Sequence, residues 1–393
     1  MTTKTKTTWR TVRLKDVADI NAHSINSDFP HKRIEYIDIS AVGSGTVSNM
    51  TEYELSEAPG RARRLVVDGD TILSTVRPNR RSFLYVQNSK ENTLASTGFA
   101  VLSPKKETDS RFLYYLVTRQ KFSDYLSANT KGSAYPAVSP EVISDAEVSI
   151  PVHDEQKRIA DILSAFDEKI ENNNRIIKAL EEMAQAIFKE RFAVSLDAIP
   201  SGWGMKKLGD FGKIVTGKTP STKEKGNFGN DYPFITIPDL QNGVFVIRTE
   251  RFLSEQGAAT MYASKLPAGA ICVSCIATIG LVGIATRESF TNQQINSIIP
   301  RSEALRPFLF LLLRGMKRNL QSHASGGTAA PIISKGAFEK IEIVMPQEKI
   351  LTGFYESVNP MFEKILVVLE ESQKLGAMRD LFLPRLMSGE IRV

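Results

Sequence analysis

The chain has 393 residues, of which 42% are hydrophobic, so it is long enough to bury two cores of ordinary domain size. Its formal charge of +6 and pI near 9.1 suit a polyanionic partner without demanding one. The longest apolar run, Phe308 to Leu313, is too short to span a bilayer, and the Thr/Lys-rich start from Met1 to Arg10 lacks a signal-type apolar stretch, so a soluble cytoplasmic protein is expected.

Along the chain, short β-branched runs such as Arg33 to Ile39, Thr71-Ile72-Leu73 and Phe83 to Val86 alternate with Gly, Pro, Asn and Ser punctuation, as strands and turns do. Arg111 to Ala128 then reads as one amphipathic helix carrying Phe112, Tyr115, Leu116, Phe122 and Leu126. A polar loop follows, then a closing strand, Ala146 to Ile150. After Pro151 the apolar period changes to three and a half. Asp154 is a candidate N-cap, and Ile159, Leu163, Phe166, Ile170, Asn173, Ile177, Leu180, Ala184 and Ile187 are spaced alternately four and three apart, as in a coiled-coil seam. Helical throughout, Asp154 to Phe192 would span about 58 Å at about 1.5 Å per residue.

The same plan then returns about 195 residues later. Trp9 and Leu14, Asp16, Val17, Ile20 reappear as Trp203 and Leu208, Asp210, Phe211, Ile214. Gly69 to Ser74 reappears as Gly269 to Ser274, and Phe112 to Leu116 as Phe308 to Leu312. The second helix of this kind is expected near Pro307 to His323 and the second closing strand at Lys340 to Val344. A second seam carries Phe354, Val358, Met361, Ile365, Val368, Ser372, Leu375 and Phe382. A repeat of this length means duplicated domains rather than a solenoid, and two seams in one chain can satisfy each other. Pro360 and Pro384 predict a kink or break in the second rod. Asn173, opposite Val368 or Ser372, is either a register-fixing polar residue or a half-exposed helix position. The expected architecture is α+β, with mixed domains at 1–150 and 200–345 and long helices at 151–199 and 346–393.

Two motifs invite chemistry. Gly212 to Thr219 fits G-x-x-x-x-G-K-T, but Pro220 to Lys223 continues as a polar loop where a phosphate-binding helix should open, which argues against a nucleotide site. Cys272 and Cys275 form a C-x-x-C inside what reads as a buried strand, without a second ligand pair, so structural thiols are the better reading than a redox or zinc pair. No methyltransferase tetrapeptide, nucleophile elbow, zincin motif or nuclease core is present, so no catalytic residue and no metal site are expected.

Ser74 to Arg80, Ser96 to Phe99, Gly132 to Pro136, Glu155 to Ala160 and Leu383 to Ile391 occur in this order around the duplicated plan. In these segments the chain resembles, along essentially its whole length, the specificity subunit of type I restriction-modification systems. The resemblance implies two target recognition domains, each reading half of a split DNA site, with the two long helices packed as an antiparallel coiled coil between them. It also implies methylation subunits, two in number, which carry S-adenosylmethionine, and restriction subunits using ATP and Mg; this chain itself would bind no cofactor. A rod of about 58 Å at about 3.4 Å per base pair limits the half-sites to roughly seventeen base pairs. Glu155-Gln156 has Ile350-Leu351 at the shifted positions, so the two helices are expected to present different docking faces. The other reading is a scaffold or orphan DNA-binding relative whose helices organise partners.

Candidate DNA contacts follow from charge and loop chemistry. Arg61, Arg63, Arg64, Arg77, Arg80 and Arg81 fall in one stretch opposed only by Asp68 and Asp70. Arg77, Asn79, Arg80 and Arg81 are assigned to DNA because guanidinium forks suit phosphates and guanine edges, solvated surface arginine being the alternative. Lys131, Ser133 and Tyr135 lie on a second candidate loop, whose small residues would permit close approach and whose tyrosine would stack; a tight connector is the alternative. In the second half the loop with Lys218, Thr219, Ser221 and Lys223 is the expected phosphate contact. Arg77 falls near Ala277 in the repeat, so the halves should read different sequences.

Overall fold

The structure is a computed structural model and describes residues 9–132, 136–193, 199–241, 243–325 and 330–393. The chain divides into two compact units, one formed by Met1–Ile170 with Lys374–Val393 and the other by Glu171–Gln373.

In the first unit a four-stranded sheet runs Ala18–Ile20, Phe99–Pro104, Thr71–Ser74, Phe83–Tyr85, with antiparallel neighbours. Thr71–Ser74 is buried at every position, as a central strand covered on both faces must be. A second sheet runs Thr51–Glu54, Arg33–Ile37, Thr93–Ser96, Ala62–Leu65, its middle pair parallel. Arg10–Arg13 and Glu147–Ile150 form a separate antiparallel pair that closes the domain.

The second unit repeats this order. Its main sheet runs Gly212–Thr216, Ile295–Pro300, Ile271–Ser274, Val282–Ala285, Phe245–Val246. A smaller sheet runs Arg251–Leu253, Phe228–Ile235, Phe290–Thr291, and Gly204–Lys207 pairs with Glu342–Met345 as the closing ribbon.

The expected helix at 111–128 is two helices, Ser110–Thr118 and Gln120–Ala128, divided at Arg119, whose ψ of 152° is extended. Arg81 Nη2 donates to the Thr118 carbonyl at 2.8 Å, so a side chain from a distant loop satisfies a helix-end acceptor. The second unit is divided likewise, into Leu305–Gly315 and Lys317–Ser322.

The long helices are His153–Phe192 and Glu348–Leu386. Asp154 therefore sits in the first turn rather than ahead of it, where its charge favours the amide end. The expected break at Pro360 does not occur: the helix continues through both Pro360 and Pro384. A proline removes one ladder hydrogen bond, and Val358, Phe362 and Ile365, all buried around Pro360, hold the flanking turns against the core.

Within each unit the two helices run antiparallel. In the first, Phe166 stacks on Phe382 with centroids 6.2 Å apart, while Ile159 and Leu163 enter the domain core beside Leu386 and Met387. In the second, Phe188 meets Phe354, and Asn173 lies opposite Ser372. Ile177, Phe354, Val358 and Ile365 are buried there; Ile170, Leu180 and Leu375 are half-buried. Asn173 is fully buried and donates to Ser372 Oγ at 3.1 Å and Glu371 Oε2 at 2.9 Å, which settles it as a polar residue of the seam.

The different docking faces expected from Glu155-Gln156 and Ile350-Leu351 are not found at these positions. Glu155, Gln156 and Leu351 are buried and Ile350 half-buried within their own units. Gln156 instead ties the helix start to its domain, accepting from Asp109 N–H and donating to the Pro151 carbonyl, both at 3.0 Å.

Candidate nucleic-acid interface

In the first unit the Thr71–Ser74 strand ends in a turn, Thr75 to Arg81, whose backbone departs from regular geometry twice. Arg77 and Arg81 both occupy the left-handed region, at φ 50° and 55°, and Pro78–Arg80 forms one turn of 3-10 helix between them. Non-glycine residues pay for that conformation in steric strain, and such strain concentrates at functional sites. Neighbouring segments hold the turn. Thr75 donates to the Gly98 carbonyl from both N–H and Oγ1 at 2.9 Å, and Thr97 N–H donates to the Arg61 carbonyl. Arg77 N–H donates to the Pro136 carbonyl at 2.8 Å, and Val138 N–H returns to the Thr75 carbonyl. Val76 and Lys131 both form bridges to Ala137.

The structure thus brings the Arg77 turn and the Lys131 loop side by side, with Thr97 and Arg61 adjoining. Asn79, Arg80, Lys131, Thr97 and Arg61 are exposed, and Arg77 is half-buried. Ser133 and Tyr135 lie outside the described residues. Arg81 must be reassigned: Nη1 donates to Gln120 Oε1 at 2.6 Å, Nη2 holds Thr118, and the guanidinium lies 5.7 Å from the Phe83 ring centroid. With its fork engaged in this way, Arg81 braces the turn rather than facing a ligand.

The two acids in the arginine stretch are also occupied locally. Asp68 accepts from the N–H and Oγ of Ser89, each at 2.7 Å, which holds its carboxyl below the usual range. Asp70 is buried and accepts from Val67 N–H at 2.9 Å; burial raises its pKa against that bond.

The second unit builds the same turn from different side chains. Ala277, at φ 62°, donates its N–H to the Pro331 carbonyl at 3.1 Å; Ile276 bridges Ile332, and Cys275 N–H donates to the Gln294 carbonyl at 2.7 Å. Gly217 N–H and Lys218 N–H donate to the Ile295 and Thr291 carbonyls, so these amides are not free to cradle a nucleotide phosphate. Lys218, Thr219, Ser221 and Lys223 are exposed; Thr219 Oγ1 donates to Gln293 Oε1, and the Ser221 carbonyl accepts from the buried Asn227 side chain at 3.0 Å. Lys218 and Thr219 therefore adjoin the 291–294 segment, which in turn adjoins the Ala277 turn.

Further polar residues that the sequence did not single out as contacts adjoin these turns, namely Thr97, Thr278, Gln293 and Lys317. Thr97, Thr278 and Gln293 are exposed on these segments, and exposed Lys317 packs against Gly280. The repeat itself held the signal, because the offset that pairs Ser74 with Ser274 and Pro136 with Pro331 brings the 96–99 and 291–294 segments into the same surroundings. Burial pushes the Cys272 and Cys275 thiols up, to about 12 and about 11, which makes them unreactive core residues. Among the described residues no group of three or more His, Cys, Asp or Glu side chains is placed to hold a metal ion, and no helix is long and apolar enough to cross a membrane.

Comparison with known proteins agrees with the duplicated geometry. The family model described as a type I restriction modification DNA specificity domain matches residues 6–182 and again 200–359. The type I restriction enzyme HindI specificity subunit of Haemophilus influenzae is 34% identical over 91% of this chain and 95% of its own length. The MjaIX specificity subunit of Methanocaldococcus jannaschii is 28% identical, covering 98% of this chain and 94% of that protein. The crystal structure of a type I restriction-modification S subunit from M. genitalium shares the fold with a TM-score of 0.62 at 15% identity, covering 98% of both chains.

Proposed function

The chain belongs to the type I restriction-modification DNA specificity family, and from that premise we propose that it reads a bipartite DNA sequence with two non-equivalent surfaces. It is the specificity subunit, and it works within a complex with DNA and other subunits. The observation that carries the two-surface reading is the turn repeated at Arg77 and Ala277, with the same backbone bond to a proline carbonyl and different side chains displayed.

Each turn would be set against DNA by its backbone and would present its own side chains to the bases and phosphates. In the first unit Arg77, Asn79, Arg80 and Lys131 supply charge and amide chemistry suited to phosphates and purine edges. In the second, Lys218 and Lys223 supply phosphate contacts, while Thr219 orients the Gln293 carboxamide, whose donor and acceptor can read a base edge.

In this proposal the chain performs no chemistry. Two methylation subunits carrying S-adenosylmethionine would modify adenines at the site it selects, and restriction subunits would use ATP and Mg to act on unmodified DNA. Support for the non-catalytic role is the family itself, whose model is described as a DNA specificity domain. Mapping methylated adenines in the host with and without this gene tests the whole reading. Loss of one gapped motif is expected; an unchanged methylation pattern, with partner subunits expressed, would overturn it.

A further inference from the structure

The two units use different chemistry at the place where the domain helix meets the paired long helices. In the first unit Tyr115 donates its hydroxyl to Asp167 Oδ2 at 2.5 Å, and Arg379 Nη1 bonds Asp167 Oδ1 at 2.6 Å. Tyr115 is buried, and burial followed by the Asp167 charge raises its pKa, so it remains a donor at neutral pH. Burial works against the Arg379 charge, but the Asp167 and Asp380 carboxylates outweigh it and raise its pKa.

In the second unit the corresponding positions are Leu311, Phe362 and Ala184, all buried in one apolar cluster. Phe362 meets Phe310 with centroids 5.7 Å apart and Phe245 at 6.2 Å. One junction is therefore an ion pair with a phenol donor, and the other is an aromatic nest.

A duplicated chain offers its helices alternative partners, since each could pair with its copy on a second molecule. If the first helix paired with another first helix, Ala184 of that copy would face Asp167 and leave the carboxylate without its cation. If two second helices paired, Arg379 would face Phe362 and bring a guanidinium into the nest. Only the mixed pairing satisfies both junctions, and uncompensated charge against an apolar partner is a strong means of excluding the wrong one.

We propose that Tyr115, Asp167 and Arg379 form a partner-selecting key, which admits the 374–386 segment of the second helix onto the first unit and rejects a second copy of the first helix. The inference stands apart from DNA recognition, because it concerns which segment completes the first unit.

The test uses full-length chains carrying Asp167→Arg, Arg379→Asp, or both, each with one of two affinity tags. Each single variant places like charges together, so its melting temperature is expected to fall by several degrees, and the double variant should recover most of the loss. Co-expressed with different tags, the two single variants should capture each other one to one, since each can supply the other's missing opposite charge by exchanging the 374–393 segment; two parent chains should not. If the single variants are insoluble alone, a soluble mixed complex supports the key in the same way. Single variants that melt like the parent would overturn it. So would a recovered double variant without any mixed complex, which would reduce the triad to an ordinary structural ion pair.

Discussion

The N–H of Arg77 donates to the carbonyl of Pro136 at 2.8 Å while Arg77 sits at φ 50°. Ala277 does the same to Pro331, at 3.1 Å and φ 62°. Two residues with no side-chain chemistry in common thus hold one backbone conformation that neither favours. What the duplication preserves here is the path of the chain, and the side chains displayed on it are free to differ.

Strain at Ala277 can be measured because its side chain is exposed and packs little. Left-handed backbone costs a non-glycine residue about 1–2 kcal/mol, partly offset by the greater unfolded-state freedom of glycine. Ala277→Gly should therefore raise stability by about 0.5–1 kcal/mol, and Ala277→Val should lower it by roughly 1–3 kcal/mol. Denaturant melts of the two variants read both signs.

Arg80 and Arg81 are neighbours with opposite expectations. Arg80→Ala should leave the melting temperature unchanged and reduce the slope of log affinity against log salt by about one on a cognate duplex. Arg81→Ala removes the bonds to Thr118 and Gln120 and should destabilise by roughly 1–3 kcal/mol. A stable Arg81→Ala protein that loses only salt dependence would return Arg81 to the DNA-facing set.

Lys218→Ala and Lys223→Ala should each weaken binding to cognate and random duplexes alike, with a slope change of about one apiece. Gln293→Ala should instead relax preference at one position of the site with little change in slope, as loss of a base-edge contact does. Binding titrations across a salt series on matched and mismatched duplexes separate the two behaviours.

Asp70 gives a signed pH effect. Burial raises its folded pKa above the ordinary aspartate value of 3.8, so ionisation is easier in the unfolded chain. The resulting penalty is absent below the unfolded pKa and fully present above the folded one. Asp70→Asn keeps an oxygen for Val67 N–H and removes the charge. It should raise the melting temperature at pH 7, with the gain shrinking as pH falls through the raised folded pKa and gone below the unfolded one.

Cys272 and Cys275 should resist alkylation at pH 8 in the folded protein, because buried thiols with pKa values of about 12 and about 11 present almost no thiolate. Both should react once denaturant unfolds the second unit. Rapid native labelling of either would contradict its burial.

The duplicated plan and the helix pairing were legible in the sequence because both depend on local spacing. A three-four alternation places Ile159 and Leu163 on one face whatever surrounds them, and the antiparallel packing of the seams sets Asn173 opposite Ser372, one of the two neighbours the sequence allowed. The break at Arg119 was not legible, since the group that satisfies the Thr118 carbonyl comes from Arg81, in a loop well upstream. For the same reason Arg81 read as a DNA contact: composition counts a guanidinium but cannot show that its fork is already engaged. Gln293 went unnoticed because Thr219, its partner, is far away in sequence, and only the sheet brings the two together. Pro360 misled in the opposite direction, through a local rule that burial of Val358 and Phe362 overrides.

The core of the first unit includes Leu386 and Met387, and Gly389 lies against Trp9. Translation therefore delivers residues 1–170 well before the pieces that finish their packing. At about 5–20 residues per second, the nascent first unit waits roughly 10–45 seconds for Met387. During that interval Ile159 and Leu163 lack the Leu386 turn that lies in the same core in the finished unit. The second unit, whose residues are continuous from Glu171 to Gln373, is complete first. Although residues up to Ile170 precede the second unit in the chain, the first unit gains its final segment, Lys374–Val393, only after the second has been made.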